Sequence, residues 1–241
     1  MRRLIIGDIH GGFLPMRQAL ERAEFNAEED MLIGIGDYVD GWPQSKEVLE
    51  YLMGLPNFKG IKGNHDYPWF TNWTLTGDTP SIWINQGGSA TVASFNNDNE
   101  SAKPHGKFIL DMPKYLVIDD MLIVHGGYDP YQPIEDQLDP HPFDIEYDLT
   151  WDRQLFSAIF QRSPMIMKNV SDAIIYKKVF IGHTTTEHVG DELKPLFSEK
   201  VIAIDQGGGW SGKLTVMDID TLEYWQSDIV ATLYPECKGR G

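Results

Sequence analysis

Cysteine is all but missing: Cys237 stands alone in a polar stretch of the 241-residue chain. One thiol excludes a disulfide framework and any metal site built from several cysteines, and it suits a reducing cytoplasm. Basic residues are scarce too. Only 20 Lys and Arg stand against 36 Asp and Glu, a formal net charge of −16. Such a field repels polyanions, so no extended nucleic acid is expected as a partner. No apolar run approaches the ~20 residues that a membrane-spanning helix needs, so no membrane partner is expected either. Strand-like residues follow Met1-Arg2-Arg3 directly. A cleaved secretion signal is therefore not expected, and a cytoplasmic location is.

What the chain does have is enough apolar content, 41%, to build a substantial core at this length. The first 65 residues alternate strand and helix. Leu4–Ile6, Met31–Ile35 and Phe58–Ile61 read as buried strands. Between them, Phe13–Phe25 carries Phe13, Met16, Leu20 and Phe25 near a helical period, and Pro43 opens a helix running to about Met53. This order indicates a largely parallel sheet with right-handed crossovers. Residues 67–113, with Trp69, Trp73, Trp83 and an Asn-rich turn, read as a helical insertion walling one side of the cleft. Strands follow at Tyr115–Ile118, Met121–Val124, Lys178–Ile181, Val201–Ile204, Lys213–Met217 and Thr221–Trp225, with a tight hairpin at Asp119-Asp120. Pro130–Tyr147 reads as a surface loop, and Asp148–Arg162 as a return to helix. No linker splits the chain, so residues 1–241 are expected to form a single α/β domain.

Five short motifs lie where apolar runs stop: Gly7–Gly11, Gly36–Gly41, Gly63–Asp66, His125–Gly127 and Gly182–His183. Ligands of parallel sheets bind beyond the carboxyl ends of the strands, which is where these motifs fall. Carboxylate, imidazole and amide oxygen together are donors for divalent metals of intermediate hardness. Asp8 and His10 are two apart, so an extended backbone points both to one side, where they can hold one ion. The two oxygens of Asp37 can bridge a pair of ions. Asn64, His125 and His183 supply neutral donors for the second. Paired ions about 3.5–4 Å apart clamp the oxygens of a phosphoryl displacement and generate hydroxide near neutral pH. His65 is placed to face the leaving group as a general acid, with Asp40 fixing its tautomer.

Other residues receive plainer readings. His105, His141 and His188 sit in polar or Pro-rich segments with no apolar strand before them, and are read as structural. The acidic run Asp136–Asp148 reads as a solvated loop. Trp69, Trp73 and Trp83 read as wall and core.

The ordered set resembles the signature of the calcineurin-like metallophosphoesterases, in the phosphoprotein-phosphatase branch with its small bacterial and phage members. Trp83 with Gly87-Gly88 and Thr91, Leu149–Arg153, and Ile204-Asp205 through Gly212–Thr215 extend the similarity over nearly the full chain. The resemblance implies a four-layer αββα sandwich of two mixed β-sheets flanked by helices, with a dimetal site at the sheet edge. It implies the roles already given for Asp8, His10, Asp37, Asn64, His125 and His183 as metal ligands, and for His65 and Asp40. It adds Arg153 as a contact to the phosphoryl oxygens, and two divalent ions, manganese first, with iron or zinc as alternatives.

One position departs from the pattern. The family has Arg directly after the second Asp of its second motif, and this chain has Gly41. Metal ligation is untouched, while the grip on phosphate loses a planar two-pronged contact. The function implied is hydrolysis of phosphomonoesters, of the Ser/Thr protein phosphatase kind, by attack of a hydroxide held between the ions. A phosphorylated protein or small phosphoester would be the partner. Two alternatives remain: a dinucleoside polyphosphate hydrolase of the symmetrical diadenosine tetraphosphatase kind, and a metal-binding scaffold that recognises phosphate without turnover. The insertion offers few cations to a nucleotide, only Lys103 and Lys107.

Overall fold

The structure, a computed structural model, describes residues 1–138, 148–190 and 193–240. Strands β1 (Arg3–Ile6), β2 (Met31–Gly34), β3 (Phe58–Gly60), β9 (Thr215–Asp218) and β10 (Tyr224–Gln226) form one sheet in the order β10-β9-β1-β2-β3. Strands β4 (Tyr115–Ile118), β5 (Met121–Val124), β6 (Lys178–Ile181), β7 (Leu196–Phe197) and β8 (Val201–Ala203) form a second, in the order β4-β5-β6-β8-β7. Each sheet has a parallel centre: β1 runs parallel to β2 and β2 to β3, and β5-β6-β8 are parallel.

The layering follows from alternation along the central strands. Leu4, Ile6 and Leu32 face helices α1 (Phe13–Arg22) and α2 (Ser45–Met53), while Ile5 and Ile33 face the other way. There they meet Ile123, Phe180 and Ile202 of the second sheet. The opposite side of that sheet, with Leu122, Val124, Val179 and Ile181, packs on Leu155, Phe156, Ile159 and Val170. The result is an αββα sandwich with three main apolar cores and a small fourth cluster of Trp42, Val230 and Tyr234 among the described residues. Between β3 and β4 lie α3 (Thr71–Thr76), α4 (Ser81–Trp83), α5 (Ser89–Ser94) and α6 (Asn99–Leu110). Their Trp73 and Trp83, with Phe95 just past α5, join the core outside the first sheet, and Trp69 packs half-buried against it.

Several boundaries differ from the sequence reading for local reasons. Helix α1 stops at Arg22 because Glu24 turns left-handed (φ 50°) and the Phe25 amide donates back to the Leu20 carbonyl. Phe25 fits the helical period only because it is the apolar residue that closes this C-terminal turn. The last hairpin is shifted: Asp218 Oδ1 accepts the amides of Asp220 and Thr221, so residues 219–223 turn rather than extend. Lys213 makes only an isolated bridge to Gln206. Asp148–Arg162 is helical only in α7 (Gln154–Phe156) and a wide turn over Ser157–Gln161, because Asp148 ties back the Thr150 amide and hydroxyl. Helix α8 (Pro164–Ala173) and the two-residue strand β7 have no counterpart in the sequence reading, and a short α9 (Val230–Leu233) follows the last strand. The hairpin at Asp119 (φ 48°) and Asp120 (φ 63°) has both central residues left-handed, the geometry that matches strand twist. His141 and the stretch 139–147 of the acidic loop lie outside the described residues. No helix among the described residues is long and apolar enough to cross a membrane.

Candidate metal centre

Parallel strands deliver their carboxyl ends to one edge, and the motif side chains collect there from both sheets. Asp8 and His10 follow β1, Asp37 and Asp40 follow β2, and Asn64 and His65 follow β3. His125 follows β5 and His183 follows β6. The loops are tightly wound: His10, Asp37, Asp40 and His183 all have positive φ, a strained state for residues with a side chain. Backbone bonds tie the loops together. The Ile9 and His10 amides donate to the Asp37 carbonyl, and the His183 amide donates to Asp8 Oδ2 at 2.9 Å, linking the two sheets.

Two ligand sets result, Asp8-His10-Asp37 and Asp37-His125-His183, and within each the donor atoms lie within 4.8 Å of one another. Asp37 belongs to both. Its Oδ2 is 3.6 Å from His10 Nε2 and 3.3 Å from His125 Nε2. Asn64 Oδ1 is 3.1 Å from His125 Nε2, which brings the amide oxygen to the second set. His10 and His125 hold backbone carbonyls with Nδ1, those of Val39 at 3.1 Å and Ile35 at 2.9 Å, and so present Nε2 inward. Asp8 Oδ1 and His183 Nε2 are buried without any hydrogen-bond partner. Buried polar atoms are normally satisfied. Two orphans facing one carboxylate, in a set of this chemistry, fit a pair of divalent cations.

The charges suit the same end. Burial, and then the charge of Arg240, hold His10 well below the usual imidazole range, and burial does the same for His183. Both are neutral donors. Burial disfavours charge on Asp37 as well, yet His125, His65 and His10 outweigh it and keep that carboxyl well below its usual range. For His125, burial is overcome by Asp37 and Asp8, which push the group up to about 10.

His65 Nδ1 lies 2.9 Å from Asp40 Oδ2, and both side chains are buried. Arg153 reaches the same edge, donating to the Thr184 hydroxyl at 3.1 Å and the His183 carbonyl at 3.3 Å. A cleft of about 310 Å³ opens above, lined in part by Asn64, His65, Trp151, Arg153, Trp210 and Arg240. Every residue singled out as a candidate in the sequence is therefore at this edge. His105 and His188 are not among the ligand sets; His105 stacks edge-on against Phe95 in the insertion.

Three contributors carry no role in the sequence reading. Asp66 accepts the amides of Asp37, Tyr38 and Gly63, welding two motif loops with one carboxylate. Burial, followed by Asp37, raises its pKa well above the ordinary value. Its place at the end of the Gly63–Asp66 motif is the signal that could have found it. Asp205, just past β8, is buried near Asp8 and raised to about 6 by that burial. Arg240 has no signal at all, lying far along the chain from any motif.

Comparison with known proteins agrees with this geometry. A family model described as calcineurin-like phosphoesterase matches residues 1–202. Serine/threonine-protein phosphatase 2 of Escherichia coli is 36% identical over 84 residues, which is 35% of this chain and 37% of that protein. A symmetrical bis(5'-nucleosyl)-tetraphosphatase of Pseudomonas syringae is 24% identical across 92% of this chain and 90% of its own. Curated relatives matched at 36–42% identity are covered over only 22–37% of their length. Among solved structures, one described as a candidate diadenosine tetraphosphatase superposes with a TM-score of 0.65 at 17% identity, covering 93% of this chain and 92% of that one.

Proposed function

Because the chain belongs to the calcineurin-like phosphoesterase family, we propose that it is a metal-dependent phosphomonoesterase of the Ser/Thr protein phosphatase kind. The observation that carries this reading is the pair of ligand sets sharing Asp37, with an acid–base pair beside them and an arginine on the cleft wall. Asp8 and His10 would hold one ion; Asn64, His125 and His183 would hold the other; Asp37 would join them. Two divalent ions there, manganese in the first instance and iron or zinc otherwise, would neutralise phosphoryl charge and activate water.

The chain's own residues do the rest. Arg153 brings positive charge to the phosphoryl oxygens and fixes their orientation. His65, with Nδ1 committed to Asp40, has Nε2 left for the cleft, where it holds the proton that the departing alkoxide needs. Asp40 keeps that imidazole in one orientation and one tautomer. Burial of the whole edge strengthens each electrostatic contact by removing water. A cytoplasmic location fits the lone thiol.

The second reading is a dinucleoside polyphosphate hydrolase. It is favoured by the nearly full-length relative of that name and by Trp151 and Trp210 on the cleft, two rings on which a base can stack. Against it, Lys103 and Lys107 of the insertion are tied to Glu100 and Asp111 and point no free charge at a polyphosphate. The test is a panel of phosphoserine, phosphothreonine and phosphotyrosine peptides, nucleotides and diadenosine tetraphosphate with the manganese-loaded protein. Faster release of phosphate from the monoesters supports the first reading. Faster cleavage of the tetraphosphate replaces it with the second, and no turnover of any ester overturns both.

A further inference from the structure

We propose that Arg240 is a second substrate-binding arginine, which pairs with Arg153 to grip a phosphoryl group from the mouth of the cleft. The inference rests on the phosphoester reading above and adds a residue to it.

The side chain of Arg240 is threaded rather than draped. Its stem passes between Gly41 and Gly209: a Cβ at Gly41 would fall 2.8 Å from Arg240 Cγ, and one at Gly209 would fall 3.0 Å from Cδ. The Arg240 amide donates to the Gly209 carbonyl at 3.1 Å, and the guanidinium lies over the Trp210 ring, 4.9 Å from its centre. Just before it, Gly239 turns left-handed against Trp42, where a Cβ would meet the ring at 2.8 Å. The volume beside Asp40 that the glycine at position 41 leaves open is filled by an arginine side chain from the other end of the sequence.

Among the described residues neither Arg240 nor Arg153 has a carboxylate within salt-bridge distance, although the chain carries 36 acidic residues. Arg240 Nε is buried without a partner. Its Nη1 lies 3.3 Å from His10 Nε2, donating to the lone pair that an ion at Asp8 and His10 would take. Metal and Arg240 therefore compete for one lone pair. With the ion in place the guanidinium must find another acceptor: the charge of buried Asp205 acts on it, yet no described carboxylate lies within salt-bridge distance. Two guanidiniums facing one cleft also repel each other. An anion carrying several equatorial oxygens resolves both problems, since two planar cations can each bind it with paired hydrogen bonds.

The test compares manganese-loaded wild type with Arg240→Ala, Arg240→Lys and Arg153→Ala. Three quantities are measured: metal per chain, calorimetric affinity for inorganic phosphate, and kcat and KM on a phosphoserine peptide. Arg240→Ala should keep its metal and its melting temperature while phosphate affinity falls roughly 10–100-fold, the scale of losing a charge-assisted contact. KM should rise in parallel. Arg240→Lys should recover only part, because an ammonium is a single-point contact. Phosphate affinity indifferent to Arg240, in a wild type that hydrolyses phosphoesters, overturns this inference alone. Loss of metal in Arg240→Ala also overturns it, by making the residue a prop of the centre. A wild type that neither binds phosphate nor hydrolyses any ester removes the functional reading and this inference together.

Discussion

Asp40 and His65 meet through a 2.9 Å bond between Oδ2 and Nδ1, with the carboxylate side chain 0% and the imidazole 2% exposed. The carboxylate is held from every side. Trp83 Nε1 donates to Oδ2 at 2.7 Å, the Thr91 hydroxyl donates to Oδ1 at 2.7 Å, and Ser45 lies 3.1 Å from that hydroxyl. The insertion therefore supplies the clamp on the residue that orients the proposed acid. Trp83 and Thr91 thereby remove a rotamer choice from Asp40.

If His65 supplies the leaving-group proton, His65→Ala should cost roughly 10²–10⁴-fold on alkyl phosphates. The loss on p-nitrophenyl phosphate should be much smaller, because that phenolate needs little protonation. Metal content should be unchanged. Equal losses on both esters with intact metal would remove His65 from this role, and lost metal would make it a ligand.

Trp83→Phe keeps much of the ring volume but withdraws one donor from Asp40. It should reproduce the leaving-group pattern of His65→Ala in weaker form, with kcat falling on alkyl phosphates and barely moving on p-nitrophenyl phosphate. A uniform loss on both esters would mean that Trp83 acts only as core packing.

Gly41→Ala tests the narrow passage beside Asp40. Gly41 has φ 125°, a conformation that side chains rarely adopt, and Arg240 occupies the space a methyl group would enter. The substitution should cost about 1–3 kcal/mol, seen as a melting temperature lower by several degrees, and should raise KM by displacing Arg240. Gly41→Arg meets the same strain, so it should lower stability instead of simply adding a phosphate contact. Unchanged melting and KM in Gly41→Ala would contradict the described backbone.

Asp152 is 4% exposed, and burial raises its carboxyl to about 6. An acid whose folded pKa exceeds its unfolded value binds more protons in the native state, so stability falls as pH rises from about 4 through 6. Asp152→Asn removes that loss, and the amide oxygen can still accept the Leu155 amide as the carboxylate does. Denaturation midpoints should show little difference near pH 4 and a gain of about 1–3 kcal/mol above pH 7, since a tenfold change in proton affinity is worth about 1.4 kcal/mol. A gain independent of pH would show that ionisation of Asp152 is not its source.

The gathering of the candidate ligands at one edge was legible in the sequence because each candidate sits a few residues beyond an apolar strand and close to glycine, a local signal. The fold was legible for the same reason in its parallel centre. Elements governed by side-chain-to-backbone bonds and left-handed turns were not: the end of α1 at Glu24, the turn under Asp218 and the unwinding after Asp148 all depend on local geometry that periodicity does not encode. Long-range partners were the least visible. Asp66 had a signal in its place at the end of the Gly63–Asp66 motif, though not for the amides it satisfies, and Arg240 is found only by seeing what fills the space at Gly41.

Asp37 is the residue on which the account turns, since one carboxylate is shared by both ligand sets. The direct measurement is metal per chain, together with phosphate release from a phosphoserine peptide, for wild type and Asp37→Asn after manganese loading. Wild type should hold two ions per chain and turn over. Asp37→Asn, which keeps the shape but loses the charge between the cations, should hold fewer and be nearly inactive. Two ions per chain and wild-type turnover in Asp37→Asn would contradict a shared dimetal centre at this edge.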